Sequence, residues 1–210
     1  MKKTIIKDII DLELFKVAKS LDKKGWILLK NGERAPVFLD TAKFISYPIL
    51  QKKISALIFK VIKDNNLKLD KILGVPYGGL PFAYNFSAHN NIPCLAIRKE
   101  GVKKYSTSGE ILGDYEKGDS VLLIEDATVT AKTVATFIIR IRKNDLLISD
   151  VITILDVGGL AKNNLKKLKI NLHNLFTWSE LYEYYKKKNL ALMDKDVVNF
   201  LDRILLENKK

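Results

Sequence analysis

Three segments of this chain, Lys71-Ile-Leu-Gly-Val, Ser120-Val-Leu-Leu-Ile-Glu-Asp and Asp150-Val-Ile-Thr-Ile-Leu-Asp, are short, nearly unbroken apolar runs rich in β-branched residues. A strand with one wet face alternates apolar and polar residues, whereas a strand apolar on both faces has to be covered on both. Such strands separated by stretches of helical length require crossover connections. The expected fold class is therefore α/β: a mainly parallel twisted sheet flanked by helices. Pro48 suits the first turn of a helix over residues 48–65. Further helices are expected over 80–90, 131–144, 179–188 and 194–208, and a strand over 93–98. Ahead of them, apolar residues at helical spacing predict one amphipathic helix over 4–24. Trp26-Ile-Leu-Leu and Val37-Phe-Leu are expected as strands around the turn Lys30-Asn31-Gly32. Residues 101–113, with three glycines and no apolar periodicity, read as a long mobile loop. No internal repeat or low-complexity linker divides the 210 residues, so one domain over 1–210 is expected.

Charge narrows the partners. Thirty-six Lys+Arg against twenty-four Asp+Glu give a net +12, which by itself would suit a nucleic-acid binder. By segment the excess is +8 over residues 1–97, +3 over 98–104, −3 over 105–150 and +4 over 151–210. Most of it is single lysines on polar helix faces, without arginine-rich patches or interleaved aromatics, so no nucleic-acid partner is expected. The one dense patch is Arg98-Lys-Glu-Gly-Val-Lys-Lys. A single cysteine, Cys94, excludes a disulfide framework and a multi-cysteine zinc site, and two histidines leave little for a metal centre held by side chains. No apolar run approaches the ~18 residues of a membrane span. The start Met1-Lys2-Lys3 resembles a signal peptide, but Asp8, Asp11 and Glu13 interrupt what would be its apolar region. A cytoplasmic, reducing setting without membrane contact is expected.

In parallel α/β sheets, ligands bind beyond the carboxyl ends of the strands, and three such ends carry unusual residues. Pro76-Tyr77-Gly78-Gly79 is a glycine turn whose N–H groups could face an anion. Arg98-Lys99 supplies two cations. Glu125-Asp126 is followed by Ala127-Thr-Val-Thr-Ala-Lys-Thr133, small and hydroxyl residues entering a helix, where free N–H groups and the helix dipole favour phosphate. Each piece alone is weak. The Glu-Asp pair could belong to a nucleotide hydrolase, but the Gly-x-x-x-x-Gly-Lys-Ser/Thr loop that such an enzyme needs is missing. Together, carboxylates for hydroxyls, a phosphate loop, a glycine turn and two cations describe a site for a phosphorylated sugar bearing a pyrophosphate.

The segment from Val121 to Val134 resembles the phosphoribosyl pyrophosphate (PRPP) motif of type I phosphoribosyltransferases. The chain as a whole is similar to the orotate phosphoribosyltransferase family, in the form fused within eukaryotic UMP synthase. The resemblance is carried by Leu29-Lys-Asn-Gly-Glu-Arg-Ala-Pro-Val-Phe-Leu-Asp40, Ser46-Tyr-Pro48, Gly74-Val-Pro-Tyr-Gly-Gly-Leu-Pro81, Ile92-Pro93, Arg98-Lys-Glu100 and Lys103-Lys-Tyr105, in the family's order over roughly residues 10–205. It implies a small N-terminal hood, largely from residues 1–45, and the reaction of orotate with PRPP to give orotidine 5′-monophosphate and pyrophosphate. It also implies a catalytic set of Lys99, Lys103, Glu125 and Asp126. Glu125 and Asp126 would hold the ribose hydroxyls, and residues 130–134 (Thr130, Ala131, Lys132 and Thr133 among them) the 5′-phosphate. Tyr77, Gly78 and Gly79 would contact pyrophosphate, with Arg98 and Lys99 neutralising it as it leaves. Mg²⁺ would be held through the PRPP oxygens rather than by side chains. Lys103 would belong to a mobile loop closing over the neighbouring subunit of a homodimer. Lys30, Phe38, Leu39, Val129 and Val157 would line the orotate site.

The departures from the family pattern matter as much. Val129 stands where a threonine is usual. Ala131 replaces a glycine and disfavours φ > 0 beside the phosphate. Asp156-Val157-Gly158-Gly159 lacks the arginine that reads the orotate carboxylate, and loss of such a charge-assisted pair weakens selection of orotate. One extra residue lies between Glu100 and Lys103. A divergent enzyme using another base, and a catalytically weak PRPP- or nucleotide-binding regulator, therefore stand as alternatives.

Overall fold

The computed structural model describes residues 1–22, 26–28, 34–99 and 109–207. Its centre is a six-stranded sheet built from β5 (Lys71–Gly74), β6 (Cys94–Ile97), β7 (Ile111–Leu112), β8 (Val121–Thr128), β9 (Asp150–Asp156) and β10 (Asn171–Thr177). Their spatial order is β10-β9-β8-β5-β6-β7, and every pairing is parallel except β6 with β7. The apolar runs thus become β5, β8 and β9 at the middle of the sheet. Their side chains alternate between two cores. Ile72, Leu122, Ile124, Ile152 and Ile154 enter one, while Leu73, Val121, Leu123 and Val151 enter the other, which is why these strands read as continuously apolar.

The helices are α1 (Lys2–Asp11), α2 (Pro48–Asp64), α3 (Leu80–Asn90), α4 (Lys132–Arg142), α5 (Ala161–Lys167), α6 (Trp178–Asn189) and α7 (Lys195–Glu207). Pro48 opens α2, which buries Leu50, Ile54, Leu57, Ile58 and Ile62 on one stripe. On the other side of the sheet α4 buries Val134, Phe137, Ile138 and Ile141. A capping box starts α6: the Glu180 N–H donates to Thr177 Oγ1 at 3.2 Å, and the Thr177 N–H to Glu180 Oε2 at 2.8 Å.

The N-terminal expectations need correction. The helix expected over 4–24 ends at Asp11, because Glu13 turns the chain with φ +53°. Phe15-Lys-Val then alternates as a strand, β1 (Phe15–Val17), and pairs antiparallel with β4 (Val37–Leu39). The partner of β2 (Ile27–Leu28) is instead β3 (Arg34–Ala35), so Val37-Phe-Leu is not the second arm of the expected hairpin; the turn residues 30–32 lie outside the described residues. The two small antiparallel sheets lead through a 3-10 helical segment, Thr41–Ser46, into α2. Of the loop expected over 101–113, residues 111–112 form β7, and residues 101–108 lie outside the described residues. Neither α5 nor β10 was expected from the sequence.

Candidate functional site

Strand β5 sits between β6 and β8, so the chain leaves it toward one edge for β6 and later returns to its other side for β8. This reversal opens a crevice at the carboxyl ends of β5 and β8, the usual place for a ligand in an open parallel sheet. The turn after β5 and the end of β8 meet there. Gly79, at φ −76°, caps α3, and a Cβ at this position would stand 2.1 Å from the Ile124 carbonyl oxygen. A Cβ on Gly78 would stand 2.2 Å from Asp126 Oδ2. Glycine is thus a condition for bringing the turn against β8. The Pro76–Tyr77 peptide is cis, and the Tyr77 ring is 67 % exposed with Lys99 Nζ 5.1 Å from its centroid.

The carboxylates lie within β8, which runs two residues further than Asp126. Glu125 is buried at 7 % exposure, and its Oε1 accepts the Asp126 N–H at 3.2 Å. Asp126 is half-buried; Oδ1 accepts the Ala127 N–H at 2.9 Å and Oδ2 the Thr41 hydroxyl at 2.8 Å. Beyond the strand, Ala131 takes the left-handed conformation at φ +56° and caps α4 without a side-chain hydrogen bond. The first-turn N–H groups of α4 thus receive no cap from the Ala131 side chain. Asn164 Nδ2, from α5, donates to the Thr130 carbonyl at 3.0 Å and ties this turn to the helix beside it. An acidic end of one strand, a glycine turn and an open helix N-terminus share one crevice.

Comparison with known proteins decides the family. A phosphoribosyl transferase domain matches residues 45–184. The chain is 33 % identical to an orotate phosphoribosyltransferase of Caenorhabditis elegans, over 80 % of this chain and 73 % of that one. It is 32 % identical to the enzyme of that name from Methanocaldococcus jannaschii, over 75 % and 87 %. The chain belongs to the orotate phosphoribosyltransferase family. Among solved structures, a UMP synthase of Leishmania donovani superposes with a TM-score of 0.78 at 25 % identity; 95 % of this chain matches, spanning 42 % of that one.

In this phosphoribosyltransferase the expected site residues that are described fall into four groups. Tyr77, Gly78, Gly79, Lys99, Glu125 and Asp126 converge at the β5/β8 crevice, with Arg98 beside Lys99 after β6. Thr130, Ala131, Lys132 and Thr133 form the turn and first residues of α4, Lys132 and Thr133 being exposed. Val157 continues from β9, donating its N–H to the Thr128 carbonyl at 2.9 Å, and Val129 beside it is 54 % exposed. Phe38 and Leu39 alternate on β4, so their side chains point to opposite faces; that of Leu39 is 5 % exposed within the core. Only its main chain remains for a ligand. Lys30 and Lys103 lie outside the described residues.

Two site neighbours went unrecognised in the sequence. Thr41 reaches Asp126 from 85 positions away, and Asn164 sits in a short polar helix that shows little periodicity. Of the remaining reactive groups, Cys94 is half-buried, and burial pushes its thiol up to about 11. His173 contacts Asp150 Oδ1 at 2.8 Å, near the opposite ends of the strands. Among the described residues no three His, Cys, Asp or Glu side chains group as a metal site, and no helix is long and apolar enough to cross a membrane.

Proposed function

We propose that this phosphoribosyltransferase transfers the 5-phosphoribosyl group of PRPP to orotate, giving orotidine 5′-monophosphate and pyrophosphate in UMP synthesis. The observation that carries the reading is the apposition of Gly78 to Asp126 across the crevice. It sets a turn able to hold pyrophosphate directly against a carboxylate able to hold ribose hydroxyls. As the bond from C1′ to the pyrophosphate oxygen breaks, its electron pair leaves with pyrophosphate, and the deprotonated N1 of orotate forms the new bond to C1′. Positive charge building on the ribose is favoured by Glu125 and Asp126, and negative charge on the leaving group by Arg98, Lys99 and Lys103. The 5′-phosphate rests on the 130–134 turn and on the free N–H groups of α4. Catalysis is thus positional and electrostatic.

The donor set suits a Mg²⁺ carried by the substrate. Glu125 and Asp126 bring carboxylates to the crevice, and Asp126 already accepts two hydrogen bonds. When bound, the ion would offset pyrophosphate charge, with these two carboxylates reaching it through the ribose hydroxyls. Residues 1–210 act as one phosphoribosyltransferase domain in the cytoplasm, as a homodimer in which Lys103 serves the neighbouring site, with neither nucleic acid nor membrane as partner.

A second reading, another base in place of orotate, is favoured by one observation. The expected carboxylate-reading position presents Val157, half-buried, beside the exposed Val129. The test is loss of orotate absorbance with PRPP and Mg²⁺, run in parallel with uracil, hypoxanthine and adenine. Consumption of orotate alone supports the first reading, and consumption of another base alone the second. Tight PRPP binding without turnover would leave a regulator. Val157→Arg should lower the orotate KM; an equal or higher value removes Val157 from the base site.

A further inference from the structure

Arg98 and Lys99 stand just beyond β6; the Arg98 N–H still pairs with the Glu110 carbonyl, and from Lys99 on the sheet no longer fixes the main chain. What holds it comes from the opposite side of the site. Arg140, in the last turns of α4, places its guanidinium against this segment. Its Nη1 donates to the Lys99 carbonyl at 3.1 Å, and Nη2 donates to the Arg98 carbonyl. Nε and Nη2 both lie 2.6 Å from Glu110 Oε1. Glu110 is held in turn: Asn144 Nδ2 donates to Oε2 at 3.4 Å, and the Glu110 carbonyl accepts the Arg98 N–H at 3.0 Å. Arg140 and Glu110 are 19 % and 20 % exposed, so the pair is partly withdrawn from water and its charge-assisted bonds are little weakened by screening.

We propose that Arg140 is a positioning residue of this reaction, which fixes Lys99 relative to the phosphate-holding end of its own helix. The inference rests on the reading of Lys99 as a cation for the leaving pyrophosphate. One helix then carries the 5′-phosphate turn at its N-terminus and, about two and a half turns later, the guanidinium that anchors the cation segment. Distance between the two ends of PRPP is set by a single rigid rod. A lysine would suffice to balance Glu110, but a point charge cannot hold a carboxylate and two carbonyls in one planar fork. The use of the fork on the Arg98 and Lys99 carbonyls is what separates positioning from charge balance.

The experiment is a double-mutant cycle of Arg140→Lys and Lys99→Ala, read as kcat and PRPP KM. Arg142→Lys serves as the matched control, since Arg142 donates to the Ile148 and Leu168 carbonyls from the same helix. Arg140→Lys should lower kcat/KM for PRPP by about tenfold or more while the melting temperature follows that of Arg142→Lys. In the Lys99→Ala background the same exchange should add little. Unchanged kinetics in Arg140→Lys while Lys99→Ala is slow would overturn the positioning role and leave the proposed function standing. So would an effect that multiplies in full with Lys99→Ala, or an equal kinetic loss in Arg142→Lys. An unaltered rate in Lys99→Ala would sink the reading of Lys99 and the positioning role with it.

Discussion

Two turns face each other across the crevice, and they invert the usual rule for glycine. After β5, Gly79 has an ordinary φ of −76° that any residue adopts, yet a Cβ there would meet the Ile124 carbonyl at 2.1 Å. After β8, Ala131 carries a Cβ in a left-handed conformation at φ +56°, where glycine is the easy choice. The first position is glycine for want of space and the second is alanine despite its dihedral. The two demands differ in tolerance. A collision with paired backbone cannot relax, whereas a left-handed alanine costs only about 1–2 kcal/mol. A missing glycine after β8 is therefore weak evidence against the proposed function, since Ala131 itself takes the left-handed conformation there.

The contrast can be broken by substitution. Gly79→Ala should have the largest effect. Ile124 O accepts the Val75 N–H at 2.8 Å, so relief would mean parting β5 from β8, a loss of about 3 kcal/mol or a melting temperature lower by roughly 6–12 °C. A melting point within about 2 °C of the parent would show that space is not what fixes this glycine. Gly78→Ala meets a side chain instead. Asp126 can swing away, so stability should change by less than about 1 kcal/mol, while kcat/KM falls about a hundredfold as the carboxylate leaves its place. Equal damage to fold and activity would contradict this.

Next comes Asn164→Ala, which removes the bond to the Thr130 carbonyl. It should cost about 1 kcal/mol and, under the proposed function, raise the PRPP KM a few-fold, measured by initial rates; an unmoved KM would show that the tie to α5 does not bear on PRPP binding. The smallest change belongs to Ala131→Gly. Relief of the left-handed alanine is offset by about 0.4–1 kcal/mol of unfolded-chain freedom and about 0.8 kcal/mol from a buried methyl. Denaturant midpoints should then agree within about 1 kcal/mol; a gain beyond about 2 kcal/mol would mean that the turn is far more strained than its dihedral implies.

Legibility followed the reach of each signal. Strands β5 and β9 and helices α2 and α3 could be read because apolar runs and Pro48 are local features. Edge strand β10 was not, since Asn171-Leu-His-Asn-Leu-Phe-Thr mixes polar residues into a strand with one neighbour. Likewise β1 was absorbed into the preceding helix, because Phe15 and Val17 fit either period until the pairing with β4 decides it. In the candidate site, the residues of the glycine turn, the acidic pair and the 130–134 turn were visible as contiguous motifs. Thr41 and Arg140 were not. Each is an ordinary polar residue in its own segment, and its significance lies in a partner brought near only by the folded sheet.

The bond from Thr41 to Asp126 has a thermodynamic side. It joins the Thr41–Ser46 segment, which lies outside the sheet, to an oxygen that under the proposed function also accepts from the sugar. A carboxylate oxygen has room for two donors, so hydroxyl and threonine can occupy it together, and because each holds the carboxylate in one orientation, each lowers the ordering cost of the other. Such coupling is reciprocal. The N-terminal segment therefore becomes a reporter: amide exchange across residues 41–47 should slow when PRPP binds, and Thr41→Val should remove that protection along with part of the affinity.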